Sequence, residues 1–105
     1  NLTIIIDYNK IQSLGETNQT LNLEPLKQKF ESFGWAVREI DGHNFDEIEH
    51  ALESLPVSTY KPTCIIAHTV KGKGVSFMED TVPWHYRSPE RQEYAAAVKE
   101  LKLET

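Results

Sequence analysis

The chain has 105 residues, 39% of them hydrophobic, and a formal net charge of −5 with acids and bases interleaved rather than in blocks. That length suits one small domain, and the low apolar content predicts a modest core or a piece that packs against something else. An acidic chain without a long basic stripe is a poor candidate for nucleic-acid binding, and no apolar run approaches the roughly 20 residues of a membrane span.

Leu2-Thr3-Ile4-Ile5-Ile6 is a continuous, mostly β-branched run without polar alternation. It predicts a central strand buried on both faces. Such a strand at the first residues implies a preceding segment or a partner that pairs it. The run has no basic start and is too short for a secretion signal. The glycosylation patterns Asn1-Leu2-Thr3 and Asn18-Gln19-Thr20 therefore read as chance matches. The strand ends at Asp7-Tyr8-Asn9-Lys10-Ile11-Gln12. In open α/β sheets, ligands sit beyond the carboxyl ends of strands. Asp7 and Asn9 carry oxygens suited to a hard cation such as Mg²⁺, but their spacing alone favours a plain Asx turn. Ser13 to Asn22 is polar and aperiodic and carries Gly15. It predicts a loop long enough to be functional.

Asn22 or its neighbours can cap a helix, with Glu24-Pro25 in the first turn and a stripe of Leu23, Leu26, Phe30 and Phe33. Gly34 suits the position just past its end. Trp35 to Ile40 alternates partly, which predicts a second strand nearer an edge. Asp41-Gly42-His43 turns out of it, and Asn44 with Glu47 spells a capping box. The helix it opens carries Phe45, Ile48, Ala51, Leu52 and Leu55 on one stripe. Lys61-Pro62 leads into a third, nearly continuous apolar strand, Thr63 to Ala67. It holds the single cysteine, Cys64, which suits a reducing, cytoplasmic compartment and a structural role. A final helix reads from Ser88-Pro89, with Tyr94, Ala97, Val98 and Leu101 as its apolar stripe. Strands alternating with helices predict an α/β fold: a mostly parallel sheet with flanking helices and right-handed crossovers. Three strands, two of them patterned for burial on both faces, make a marginal sheet, so the chain reads as the incomplete portion of a larger α/β domain.

Between the third strand and the last helix lies His68-Thr69-Val70-Lys71-Gly72-Lys73-Gly74-Val75-Ser76-Phe77-Met78-Glu79, then Val82-Pro83-Trp84-His85. This is neither a Walker loop nor a Rossmann fingerprint: Lys73 is not followed by Ser or Thr, and Phe77 stands where the third glycine belongs. Glycines let backbone N–H groups approach an anion and lysines add charge. A solvated basic turn has the same composition. His68 and His85 bracket the loop, the second between Trp84 and Tyr86, and could bind phosphate oxygens or shuttle a proton. His43 follows a strand and belongs at the same sheet edge. His50 falls on the polar side of a helix. One cysteine and no histidine pair at ligand spacing argue against zinc.

These residues, with Phe33-Gly34-Trp35, Asp41-Gly42-His43 and Lys61-Pro62-Thr63, resemble the thiamine-diphosphate-binding domain of transketolases, above all the N-terminal subunit of the two-chain bacterial and archaeal form. The resemblance covers essentially the whole chain, residues 1–105, as the C-terminal portion of that domain. It implies a three-layer thiamine-diphosphate-binding fold. It implies thiamine diphosphate and Mg²⁺ (or Ca²⁺) as cofactors, with Asn9 and the main chain of Ile11 as cation ligands. Asn9 and His85 would touch the diphosphate, His85 would act on the sugar phosphates, and Lys71 and Lys73 would lie near the phosphates or the mouth. It also implies partners: the remaining transketolase segments or a C-terminal subunit, in a homodimer or heterotetramer.

The departures matter. The family's Gly-Asp-Gly opening, its N-terminal pocket histidines and the cofactor-activating Glu of its pyrimidine-binding domain are not in this sequence, and Tyr86 stands where a glycine is common after the pocket histidine. The chain is therefore expected to be inactive alone. A 1-deoxy-xylulose-5-phosphate synthase or a non-catalytic α/β assembly module remain the alternatives.

Overall fold

The structure, a computed structural model, describes residues 2–102. Asn1 of the first glycosylation pattern and the last three residues of the expected domain lie outside the described residues.

The elements are β1 (Thr3–Tyr8), β2 (Ile11–Gln12), β3 (Gly15–Glu16), α1 (Thr17–Thr20), α2 (Leu26–Ser32), β4 (Ala36–Asp41), α3 (Phe45–Glu53), β5 (Thr63–His68), a 3₁₀ turn (Val82–His85) and α4 (Arg91–Glu100). β1, β5 and β4 form a parallel sheet in that order. β5 is central, and Cys64, Ile65 and Ile66 are essentially without solvent contact. Side chains alternate across the sheet. On one face Tyr8, Cys64 and Ile66 pack with Leu23, Leu26, Phe30 and Trp35 from the α2 region. On the other, Ile40, Ile65 and Ala67 pack with Ile48, Ala51 and Leu55 of the α3 region. Helices on both faces of a parallel sheet are the layering that the alternating pattern predicts.

The position of β1 differs from expectation. In this chain it flanks the sheet and does not sit at its centre, and Ile5 is 60% exposed while Ile4, Ile6 and Tyr8 face α2. The reason is coverage: α2 shields one face of β1, while α3 lies over β4 and β5. A continuous apolar run reports what a strand can bury, and not what this chain supplies to bury it.

Smaller differences have local causes. The stretch read as a loop contains the hairpin of β2 with β3 and the single turn α1. Two-residue strands leave no periodicity to read. Phe33 and Phe45 lie on expected stripes yet are 81% and 84% exposed, and Trp35 packs edge-to-face on Phe30 at 5.7 Å instead. Asn44 caps α3, its Oδ1 accepting from Asp46 and Glu47 N–H, but the Glu47 carboxylate accepts from Asp41 N–H at 2.8 Å and not from Asn44 N–H. Helix α4 starts two residues later than Ser88-Pro89 suggests. Arg87 lies 3.8 Å over the Trp84 ring and forks onto Glu93 at 2.6 and 2.8 Å, and Glu90 N–H donates to the same carboxylate. These contacts fix the chain reversal ahead of the helix.

The packing makes one substitution decisive. Ile66→Ala leaves a cavity under α2 and should cost roughly 2–5 kcal/mol in urea unfolding of the intact protein; a loss below about 1 kcal/mol would contradict the central place of β5. The turn before α4 makes a prediction about pH. The Arg87 guanidinium, and after it Glu90 N–H, hold the Glu93 carboxyl down at about 2. A depressed carboxyl contributes above its unfolded value and loses that contribution as pH falls. The anchor ahead of α4 should therefore persist from neutral pH to about 4.5 and fade toward about 2. Carboxyl carbon shifts of Glu93 across that window report it.

Candidate functional site

In-register pairing ends Tyr8 of β1, His68 of β5 and Asp41 of β4 in one row, so all three strands release their loops at one sheet edge. There a cavity of about 440 Å³ opens between the exit of β1, the hairpin with α1, and the loop after β5. Asn9 and Ile11 line it from the first side, Glu16 and Thr17 from the second, and Thr69 and Val70 from the third.

Asn9 is placed by its own backbone. Its Oδ1 accepts Ile11 N–H at 2.9 Å, an Asx turn, and Lys10 between them takes a left-handed φ of 64°. Thr17 N–H donates to Lys10 O at 2.9 Å and folds the hairpin back over this turn. The Asx-turn reading of Asn9 is thus correct as structure, and it leaves room for a ligand role. An amide oxygen has two lone pairs, and Ile11 N–H occupies one.

Tyr8 and Glu24 also face the cavity, and nothing in the sequence signals that they pair there. The Tyr8 hydroxyl donates to Glu24 Oε1 at 2.8 Å, and Glu24 Oε2 accepts Leu26 N–H at 3.0 Å. Burial, and then the bond to Glu24, raises the Tyr8 phenol above its usual range. The Leu26 N–H, and then the Tyr8 hydroxyl, lowers the Glu24 carboxyl. With Glu16 and Asp80 also in the lining and Lys10 the counter-charge, the cavity is acidic. It would repel a bare diphosphate and accept one bridged by a cation. Among the described residues no group of three or more His, Cys, Asp and Glu is placed to hold a metal. A cation here would rest on neutral oxygens such as Asn9 Oδ1, with phosphate oxygens and water completing its shell, as Mg²⁺ prefers. The donor set fits the implied cofactor pair in part.

Most amides of the glycine loop are committed within the protein and do not face an anion. Lys73, Val75, Met78, Glu79 and Asp80 N–H groups all donate to carbonyls within the loop, and Gly74 N–H donates to Glu79 Oε1 at 3.0 Å. Gly72 is needed for packing: its φ is +75°, and a Cβ would come within 2.6 Å of Met78 O. Lys73 pairs with Glu79 at 3.8 Å, and neither Lys71 nor Lys73 lines the cavity. His68 turns toward the α2 face, 3.1 Å from Glu39 and with its ring against Tyr8. It therefore does not join His85 in one pocket wall. His85 is exposed, at the end of the 3₁₀ turn, with its ring 4.9 Å from that of Tyr86. The Tyr86 hydroxyl donates to Ser13 O at 2.9 Å, which ties this turn to the hairpin. His85 lies outside the cavity lining. His43 is at the edge expected of it.

The family described as "Transketolase, thiamine diphosphate binding domain" matches residues 1–104. An apulose-4-phosphate transketolase subunit from Phocaeicola vulgatus is 39% identical over 101 residues, covering 96% of this chain and 36% of that protein. The 6-deoxy-6-sulfo-D-fructose transketolase subunit SqwG of a Clostridium species is 43% identical over 104 residues, covering 99% of this chain and 38% of the relative. A crystal structure of transketolase from Campylobacter jejuni superimposes with a TM-score of 0.88 at 33% identity, over 97% of this chain and 16% of that one. The chain spans little more than a third of the length of these two curated relatives. With the match running from first residue to last but one, the chain belongs to the transketolase thiamine-diphosphate-binding domain family.

Proposed function

We propose that this chain is the C-terminal portion of the thiamine-diphosphate-binding domain of a transketolase, and that it holds the diphosphate end of the cofactor and its Mg²⁺. The observation that carries this reading is the meeting of Asn9 and Ile11 with Thr69 and Val70 around one acidic cavity at the carboxyl edge of a parallel sheet. Asn9 Oδ1 and the Ile11 carbonyl would be the cation ligands. Thiamine diphosphate, when bound, supplies the carbanion-stabilising chemistry of ketol transfer. The protein binds, orients and moves protons. Asn9, held on the Lys10 turn, would bind the cation there. His85, on the turn that Tyr86 ties to the hairpin, orients the donor sugar and carries protons to and from its hydroxyls.

Relatives named as transketolase subunits favour a two-carbon ketol transfer over the related synthase reaction. Their names contain a ketose bearing a phosphate or a sulfo group, so the proposed substrates are sugar phosphates and ketoses with a comparable anionic tail. The remaining segments of the enzyme, or a C-terminal subunit, complete the site in a homodimer or heterotetramer in the cytoplasm.

In the full-length protein, Asn9→Ala should weaken thiamine diphosphate binding in Mg²⁺ at least about tenfold, read by calorimetry; unchanged affinity would overturn the ligand role of Asn9. The isolated chain should show no turnover with xylulose 5-phosphate and ribose 5-phosphate. Measurable ketol transfer by it would contradict the division of the site between segments.

A further inference from the structure

The loop after β5 is pinned from both sides just where it becomes cavity wall. From β1, Tyr8 O accepts Thr69 N–H at 3.3 Å and the Asp7 carboxylate accepts the Thr69 hydroxyl. From the turn after β4, His43 Nε2 accepts Val70 N–H at 2.8 Å. Gly42 N–H donates to His68 O at 2.8 Å, and His43 N–H donates to Asp41 Oδ1 at 2.8 Å, so the turn that presents the imidazole is itself fixed. Gly42 must be bare. A Cβ there would overlap Thr69 Cγ2 and come within 3.2 Å of His68 O. The Val70 bond requires an unprotonated Nε2, which places the ring proton on Nδ1. Thr69 and Val70 line the cavity opposite Asn9, whereas His43 does not reach it.

We propose that His43 is a positioning residue for the cofactor site, acting through Val70 N–H to set where the Thr69–Val70 backbone stands. This rests on the proposed function, in which the cavity takes thiamine diphosphate. The cavity wall is main chain here, and main chain is oriented by whatever accepts its N–H. Without an acceptor at His43, Val70 N–H turns to water and the wall is free to move away from Asn9. The bond is solvent-exposed, so its loss is worth a small factor rather than a collapse.

The test uses the full-length enzyme with all its segments and reads the Kd for thiamine diphosphate in Mg²⁺ by calorimetry. His43→Phe keeps a flat ring without the acceptor, and His43→Gln puts an amide oxygen at a comparable reach. The expected result is binding weaker by about fivefold in His43→Phe and restored to within about twofold of wild type in His43→Gln. Gly42→Ala, which pushes Thr69 without touching the imidazole, should weaken binding as well, and it decides the matter if His43→Phe does not fold. Wild-type affinity in His43→Phe, or in Gly42→Ala, overturns the inference. So does a His43→Gln protein as weak as His43→Phe. A wild-type enzyme that does not bind thiamine diphosphate sinks the reading of the cavity itself, whereas wild-type binding unmoved by His43→Phe sinks only the positioning role.

Discussion

Parallel pairing along both edges of β5 is the constraint from which the rest of the molecule follows. Each residue from Thr63 to His68 has a partner in β1 and another in β4. Because side chains alternate, that one register decides which residues meet α2 and which meet α3. A slip by one residue would exchange the two sets and bring Ile65 where Ile66 packs. It also decides the site. Parallel strands ending in one row must release their loops together, so the Asn9 turn, the Gly42-His43 turn and the Thr69–Val70 loop become neighbours although they are far apart along the chain, His43 and Val70 by 27 residues.

The cavity at that edge owes its chemistry to charge as much as to shape. Its acidic lining disfavours a bare anion. The lysines that composition suggests as phosphate binders lie outside it, and Lys73 is spent on Glu79. Lys27 and His68 meet at Glu39 in the same way. In the proposed function a diphosphate enters this lining through a divalent cation, which neutral oxygens such as Asn9 Oδ1 would hold. The glycine loop contributes differently from what its sequence suggests. Most of its amides close the loop on itself, Ser76 N–H donates to Glu100 of α4, and the loop reaches the cavity through Thr69, Val70 and Asp80.

What could be read from the sequence was local. Apolar runs located β1, α2, β4, α3 and β5 to within a few residues, because their causes lie within one turn or one strand, and Asn44 caps α3 as expected. The Asn9 turn belongs with these, since its bond spans two residues. Asn22 does not cap α2, which begins at Leu26 after Glu24-Pro25 rather than including them in its first turn. The β2–β3 hairpin was not legible, as two-residue strands carry no pattern. The pairing of Tyr8 with Glu24 was not legible because their bond spans 16 residues.

The sequence by itself determined the family, the alternation of strands and helices, and the residue types at each strand exit. Only the tertiary structure decided which exits meet and how their groups are occupied. It turned His68 to Glu39, His43 to Val70 and Lys73 to Glu79, and left Ile5 exposed on a strand whose composition suits burial. The physical reason is that a side chain's partner is chosen by register and by coverage. Register is shared among strands far apart in sequence, and coverage depends on which helices this chain brings.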